Sequence, residues 1–135
     1  MDTIHTLFDI IRRLRDENGC PWDRAQTAQS MWKCLVEEVY ELQEALVKED
    51  DAHISEELGD VLFQLVFIIE IFQETKRLTL EGITGQVASK MVGRHPHVFD
   101  DAVIETEEEL DEQWEAIKAG EATKKDRKNG SALDR

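Results

Sequence analysis

The sequence predicts an all-α fold. Apolar residues recur at helical spacing along most of the chain, and no stretch of useful length alternates as a β-strand would. Residues that disrupt helices are few, with two prolines and seven glycines among 135 residues. At 41% hydrophobic residues, a chain of this length can bury a core. We expect a helical domain over residues 1–118, followed by a polar, mobile tail over residues 119–135.

The first helix is predicted over residues 3–17. Its apolar positions are Ile4, Leu7, Phe8, Ile11 and Leu14. The pair Asn18-Gly19 ends the helix, because both residues tolerate left-handed backbone. A CPWD turn then leads to the second helix, which is capped either by Asp23 with Gln26 or by Thr27.

The second helix, over about residues 27–48, carries acidic residues among apolar ones. Its apolar stripe is Met31, Leu35, Val39, Leu42 and Leu46. At about 100° per residue, Glu38 falls inside this stripe, Glu41 lies at its edge, and Glu37 lies farther toward solvent. A carboxylate among apolar side chains is unfavourable unless it is paired or bound to a metal ion. Glu38 is therefore the first candidate for a functional role.

The third helix, over about residues 55–75, follows a polar connection and is the most apolar part of the chain. From Val61 onward it is apolar nearly all round, which is typical of a helix buried on several sides. One helical face consists of Glu57, Asp60, Gln64, Phe67, Ile68 and Ile71. Because one small helical unit can hardly bury such a helix, we expect a homo-oligomer that covers one face.

Two further helices are predicted in the last part of the chain. The fourth covers about residues 80–93, and the sequence RHPHVFDD with Pro96 closes it. Thr106 and Glu109 form a capping box for a short last helix. His95 and His97 flank the proline, and they are interpreted as turn residues in preference to ligands.

Two acidic pairs suggest a metal site. Glu38 with Glu41, and Glu57 with Asp60, are each spaced so that both carboxylates share a helix face. Hard oxygen ligands at this density select Mg²⁺, Mn²⁺ or Ca²⁺. The alternative is a solvated acidic surface, since 30 acidic residues make such pairs common. A di-iron site is disfavoured, because such sites use Glu-x-x-His pairs, and here Glu41 and Asp60 occupy the positions where those pairs have histidine.

Charge and composition exclude several classes of protein. A net charge of −14 disfavours binding to nucleic acid or to an anionic membrane. The apolar run Val61–Phe72 is too short to span a bilayer, and the N-terminus does not resemble a signal peptide. Cys20 and Cys34 are expected to be free thiols in a reducing compartment. We therefore expect a cytoplasmic protein without membrane or nucleic-acid partners.

Several motifs occur together and in order, and jointly they resemble the MazG family of nucleoside triphosphate pyrophosphohydrolases. They are CPWDRAQT (20–27), EEVYE (37–41), EELGDVLFQLVF (56–67), KMVGRHPHVF (90–99), QWEAIK (113–118) and SALD (131–134). The resemblance covers nearly the whole chain. It implies an all-α, MazG-like four-helix core that assembles as a dimer or larger homo-oligomer.

The resemblance also implies an activity and a set of site residues. Members cleave nucleoside triphosphates between the α and β phosphates with Mg²⁺, for which Mn²⁺ is a possible substitute. The implied metal ligands are Glu38, Glu41, Glu57 and Asp60, with Glu37 in or beside the site. Glu38 or Glu41 is expected to act catalytically by orienting the attacking water. The implied substrate contacts are Lys90, Arg94, Trp114 and Lys118, which could otherwise be solvated charges and a core tryptophan.

The motifs CPWD and RHPHVF are similar to the amino-terminal repeat of longer, duplicated members of the family. The sequence therefore leaves open whether this is a short protein or one domain of a longer one. One alternative function is a catalytically weak helical domain that binds metal or nucleotide and acts in the assembly or regulation of a larger MazG-type protein. Another is a narrower enzyme, such as a dUTPase-like or phosphoribosyl-ATP pyrophosphohydrolase.

Overall fold

The fold consists of helices and connecting turns, as predicted. The computed structural model describes residues 3–128, with side chains through residue 122, and this part of the chain contains no β-strand. The helices are α1 (Thr3–Leu14), α2 (Pro21–Ala25), α3 (Ala28–Lys48), α4 (Asp51–Glu74), α5 (Leu80–Arg94), α6 (Pro96–Phe99) and α7 (Glu107–Lys128). The chain divides into two compact units, Met1–Gly82 and Ile83–Arg135. The SALD motif and residues 129–135 of the predicted tail lie outside the described residues.

Helix α1 is shorter than expected because the chain turns sharply after Leu14. The backbone N–H of Cys20 donates to the carbonyl oxygen of Leu14 at 2.8 Å, and that of Gly19 donates to Asp16 at 2.8 Å. The CPWD segment is a short helix, α2, with Cys20 at its N-cap position, so the prediction of a plain turn was wrong. Proline at the first position of a helix lacks only an N–H group that would have no partner there.

Helix α3 begins where Thr27 caps it. The Thr27 hydroxyl accepts from the backbone N–H of Ser30 at 3.1 Å, and the Ser30 hydroxyl accepts from that of Thr27 at 2.9 Å. This reciprocal capping box rules out the Asp23 and Gln26 interpretation. Met31, Leu35 and Ala45 are buried, but Val39 and Leu46, which were expected in the same stripe, are 47% and 53% exposed.

Helix α4 begins one turn earlier than expected because Asp50 caps it. The Asp50 carboxylate accepts from the backbone N–H groups of Ala52 at 3.2 Å and His53 at 3.4 Å. The helix packs against both α1 and α3. The buried core of the unit consists of Phe8, Ile11, Met31, Val66 and Phe67. Although α4 is strongly apolar, no helix among residues 3–128 has the length and hydrophobicity needed to cross a membrane.

Arg15 ties three segments of the first unit together. Its Nε and Nη2 atoms donate to the carboxylate of Glu74 on α4 at 2.6 and 2.9 Å. Its Nη1 atom donates to the carbonyl oxygens of Asp23 at 2.7 Å and Gln26 at 3.1 Å. Arg15 therefore holds the segment that starts α3 against α1 and α4. The relative placement of α3 and α4 matters because these two helices carry the acidic pairs.

The second unit contains α6, α7 and most of α5. The backbone N–H of Glu109 donates to the Thr106 hydroxyl at 3.1 Å, as predicted, whereas the Glu109 carboxylate accepts from the N–H of Glu105 at 3.0 Å. Helix α7 continues to Lys128, ten residues past the expected domain boundary at residue 118. Residues 119–128 include two Ala and three Lys, which favour helix. The division of the chain at residue 118 stays a prediction.

Gly19→Ala is expected to destabilise the first unit. A Cβ atom at this position would lie 2.3 Å from the carbonyl oxygen of Leu14 and 2.4 Å from that of Arg13, so the backbone would have to move. We expect a loss of about 2 kcal/mol in the free energy of unfolding, measured by urea denaturation. Gly59→Ala is the matched control, because a Cβ atom at this position in α4 would meet nothing within 4 Å. The control should gain about 1 kcal/mol from helix propensity; equal effects of both variants would contradict the prediction.

Candidate active site

Helices α3 and α4 bring the predicted metal ligands together around Glu57. One carboxylate oxygen from each of Glu38, Glu41 and Glu57 lies within 4.8 Å of the other two. A second group with the same spacing consists of Glu56, Glu57 and Asp60. Glu57 belongs to both groups. All four residues predicted as ligands are therefore near one another, as the spacing of the two acidic pairs suggested.

Buried oxygens at this site have no hydrogen-bond partner. Glu57 is only 4% exposed, which is unusual for a carboxylate. Within the described part of the chain, Glu38 Oε2, Glu57 Oε2 and Gln64 Oε1 are buried without a partner. Gln64 lies one turn beyond Asp60 on the same face of α4. Buried polar atoms in folded proteins almost always have partners, so oxygens left without one fit a site that binds a cation.

The surroundings of Glu38 and Glu41 raise the pKa values of these two groups. Burial is the largest effect on Glu38, and together with a hydrogen bond to Glu57 it raises the pKa of Glu38 to about 7. The negative charges of Asp60 and Glu41 act in the same direction. The pKa of Glu41 is also raised, chiefly by the charge of Glu57. A bound divalent cation would reverse these shifts by favouring the ionised carboxylates.

Three residues at or beside the site were not predicted from the sequence, namely Glu56 of the second acidic group, His53 and Gln64. The Nε2 atom of His53 lies 3.5 Å from Glu57 Oε1, one turn earlier on α4. The i, i+4 spacing of His53 and Glu57 was a usable signal, but only once α4 was known to begin at Asp51. The sequence places Gln64 on the same helix face as Glu57 and Asp60, but the burial of its side-chain oxygen could not be predicted. Glu37, predicted in or beside the site, is exposed and belongs to neither acidic group.

The predicted substrate contacts form a second cluster, within the second unit. The Arg94 guanidinium carbon lies 5.0 Å from the centre of the Trp114 ring, and Lys118 Nζ lies 5.8 Å from it. Arg94 is also paired with Glu121, at 2.7 Å between Nη2 and Oε1. The charges of Lys90 and Lys118 contribute to a lowered pKa of Glu121, after the larger effect of its hydrogen bond from Arg94. Glu121 was missed because it falls in the segment predicted as a tail.

The remaining candidates have ordinary structural roles. His95 Nδ1 lies 2.6 Å from the carbonyl oxygen of Met91, and His97 Nδ1 lies 3.0 Å from Gln113 Nε2. His95 thus lies in the turn between α5 and α6, as interpreted, whereas His97 lies within the short helix α6. Cys20 and Cys34 are free and half-buried.

The fold and the acidic groups define an all-α protein with a carboxylate site suited to a divalent cation. A family model described as the MazG nucleotide pyrophosphohydrolase domain matches residues 26–99. The chain therefore belongs to the MazG family, which confirms the resemblance inferred from the motifs.

Several known proteins are similar to this chain. The nucleoside triphosphate pyrophosphohydrolase of Escherichia coli (strain K12) is 42% identical over 135 residues, which cover 99% of this chain and 51% of that protein. The nucleoside triphosphate pyrophosphohydrolase/pyrophosphatase MazG of Thermotoga maritima is 44% identical over 119 residues, or 88% of this chain and 45% of that protein. This chain thus spans about half the length of these curated relatives.

A solved structure shows the same fold. The crystal structure of a mazG-related protein from Thermotoga maritima matches with a TM-score of 0.72 and 30% sequence identity. The match covers 85% of this chain and 98% of that chain. The MazG-like, all-α fold class predicted from the sequence is therefore confirmed.

The stability of the metal-free protein is expected to fall as the pH rises from 4.5 to about 7. In the folded state Glu38 has a pKa of about 7, whereas the ordinary pKa of a glutamate is 4.5. Between these two pH values the folded state therefore binds more protons than the unfolded state. Urea unfolding in EDTA at several pH values measures the slope of the free energy of unfolding against pH. Glu38→Gln should reduce the slope, because glutamine does not titrate.

Glu44→Gln is the matched control for this measurement. Glu44 lies on the same helix, and its hydrogen bond from Lys48 lowers its pKa, so it titrates below the window. The control should keep the slope of the wild type. A slope that is equal in the wild type and in Glu38→Gln would contradict the role assigned to Glu38.

Proposed function

We propose that this chain hydrolyses nucleoside triphosphates between the α and β phosphates, releasing a nucleoside monophosphate and pyrophosphate. The proposal assigns Mg²⁺, or Mn²⁺ in its place, to Glu38, Glu41, Glu57 and Asp60. It is supported by family membership and by relatives that are named nucleoside triphosphate pyrophosphohydrolases. A role in the nucleotide pool of the cytoplasm is part of the same proposal.

The observation that carries the proposal is the set of buried oxygens without partners. Glu38 Oε2 and Glu57 Oε2 would repel each other if both carboxylates were ionised and nothing lay between them. A surface acidic patch would leave such oxygens in contact with water. Here they are buried, and the amide oxygen of Gln64 is buried without a partner as well. Carboxylate and amide oxygens are the ligands that Mg²⁺ and Mn²⁺ prefer.

The chain's own residues suit phosphoryl chemistry. In the proposed reaction, the oxygen of a water molecule bonds to a phosphorus atom of the α–β bridge while the bridging P–O bond breaks. The electron pair of that bond leaves with one of the two phosphate products. Glu38 or Glu41 orients the water and accepts its proton, because a bound cation would keep these carboxylates ionised and able to act as a base. Bound Mg²⁺ would neutralise phosphate charge and make the bound water more acidic.

Lys90, Arg94, Trp114 and Lys118 are proposed as substrate contacts. Arginine and lysine side chains bind phosphate oxygens, and an aromatic ring can stack on a base. The short distances among Arg94, Trp114 and Lys118 support their assignment to one cluster.

Pyrophosphate release from a panel of ribo- and deoxyribonucleoside triphosphates, with Mg²⁺ or Mn²⁺, tests the activity. We expect turnover with at least one of these substrates and none in EDTA. Glu57→Gln should lower the rate about 100-fold or more, because it removes a charge shared by both acidic groups. Its thermal stability without metal should be equal to or above that of the wild type, since a buried negative charge is gone.

Glu44→Gln is again the matched control, because it removes an exposed carboxylate that belongs to neither acidic group and forms a salt bridge with Lys48 at 3.0 Å. Its rate should stay within twofold of the wild type. Metal and nucleotide binding without pyrophosphate release would favour the alternative of a weak or regulatory domain. Turnover of dUTP alone, or of phosphoribosyl-ATP in place of nucleoside triphosphates, would favour a narrower enzyme.

We also propose that the chain forms a homo-oligomer through α4. Leu58, Leu62 and Leu65 share one helix face and are 51%, 42% and 44% exposed. An apolar face of this kind is unusual on a monomer and is typical of a protein interface. A second copy of the same chain is the partner that the family resemblance implies.

Light scattering after size exclusion should give a dimer or a larger assembly. Leu62→Glu should shift the assembly toward monomer, because a carboxylate would be buried in the proposed interface. Ile10→Glu is the control, since Ile10 is a comparably exposed apolar residue, at 47%, on α1. A monomeric wild type, or equal dissociation of both variants, would contradict the assignment of α4.

A further inference from the structure

The carboxylate of Glu121 holds Arg94 through two parallel hydrogen bonds. Arg94 Nε donates to Glu121 Oε2 at 2.9 Å, and Nη2 donates to Oε1 at 2.7 Å. The Arg94 side chain is only 15% exposed. Paired hydrogen bonds between a guanidinium and a carboxylate are among the strongest polar contacts in proteins, and they fix orientation as well as distance. The two residues are 27 positions apart, so this contact joins α5 to α7.

A second contact restrains the same guanidinium. Its central carbon lies 5.0 Å from the centre of the Trp114 ring. Lys118, one turn after Trp114 on α7, lies 5.8 Å from the same ring centre. Arg94 therefore has one edge bound by a carboxylate while it also contacts an indole ring. Arginine is well suited to this combination, because its group is planar and always charged.

The pairing leaves part of the guanidinium available. The group has five N–H donors, and Glu121 is bound through Nε and Nη2. The Nη1 atom makes no hydrogen bond to the residues that the structure describes. Because Glu121 occupies the edge formed by Nε and Nη2, the adjacent edge, formed by the second N–H of Nη2 and one N–H of Nη1, can still receive two oxygens of an anion.

We propose that Glu121 is a positioning residue that holds Arg94 with its Nη1–Nη2 edge ready for a phosphate oxygen of the substrate. The proposal rests on the function proposed above, in which Arg94 is a substrate contact. Glu121 itself does not contact the substrate. It restricts the rotamers of a long side chain before binding, so that less conformational entropy is lost when the phosphate arrives. The hydrogen bond from Arg94 lowers the pKa of Glu121, which keeps this carboxylate ionised at neutral pH.

A rival interpretation predicts the opposite change in substrate affinity. If Glu121 competed with the phosphate for Arg94, its removal would tighten substrate binding. If the pair were only structural, its removal would change stability without changing binding. Glu121→Gln separates these cases, because glutamine has nearly the same shape and keeps one acceptor oxygen, but its amide nitrogen cannot accept the second bond.

Steady-state kinetics of Glu121→Gln, on whichever triphosphate the wild type hydrolyses, is the direct test. We expect KM to rise about tenfold with kcat within twofold of the wild type, as for loss of a charge-assisted hydrogen bond. Glu121→Asp keeps the charge and should recover part of the loss. Glu115→Gln is the matched control, since it removes an exposed charge from the same helix, and its KM should not change. A lower or unchanged KM in Glu121→Gln overturns the proposal.

A double-mutant cycle with Arg94→Lys tests whether Glu121 acts through Arg94. Lysine keeps the charge but cannot form the paired hydrogen bonds. In the Arg94→Lys background, Glu121→Gln should change KM by less than twofold, whereas an effect of Glu121 on KM that does not pass through Arg94 would leave the two effects additive. A full tenfold effect in that background overturns the proposal.

Calorimetry with a Mg²⁺-loaded α,β-methylene triphosphate analogue measures binding without hydrolysis. It therefore tests the positioning role of Glu121 separately from the proposed hydrolase activity. If the wild type releases no pyrophosphate, the hydrolase assignment fails, and the same variants are compared by Kd in place of KM. Weaker binding by Glu121→Gln, with wild-type affinity in Glu115→Gln, would then still support the positioning role. Equal affinities of both variants, or no binding by the wild type, would overturn it.

Discussion

The buried carboxylate of Glu57 is the constraint on which the first unit depends. It is 4% exposed and lies within 4.8 Å of oxygens from other acidic residues on α3 and α4. Groups of like charge at this burial oppose folding unless one is protonated or a cation lies among them. The apolar core that includes Phe8 and Phe67, and the contacts of Arg15 with Glu74 and two backbone carbonyls, supply stabilisation elsewhere in the unit. Stability is thus concentrated away from the acidic groups, which remain available for binding.

Much of the fold was predictable because its signals are local. The apolar spacing in α1 and the position of Glu38 among apolar residues of α3 follow from helix geometry alone. The ends of the helices were harder to predict. Glu49, Asp50 and Asp51 are consecutive acidic residues, and only the structure shows that Asp50 caps α4. The cap moves the start of the helix back by one turn, and it places His53 on α4, where its ring lies near Glu57.

The features that could not be predicted depend on contacts between distant segments. Val39 and Leu46 follow the apolar period of α3, yet they are exposed because α4 and the core lie against the other flank of the helix. The buried oxygen of Gln64 depends on packing that no spacing rule describes. Glu121 lies in a polar stretch of ordinary composition, and only its contact with Arg94 distinguishes it. The family resemblance, not the helical periodicity, indicated a triphosphate substrate.

The two clusters differ in how their charges are balanced. In the first unit, the Oε2 atoms of Glu38 and Glu57 lack partners within the described chain, so the site is stable as a set of ionised carboxylates only with a cation. In the second unit, Glu121 already offsets part of the positive charge of Arg94, Lys90 and Lys118. A chain with a net charge of −14 repels a triphosphate at long range, and a partly neutralised cationic cluster offsets little of that repulsion. In the proposed reaction, charge neutralisation for the substrate would therefore come mainly from divalent cations, while the cationic cluster would contribute orientation through a guanidinium that is already in place.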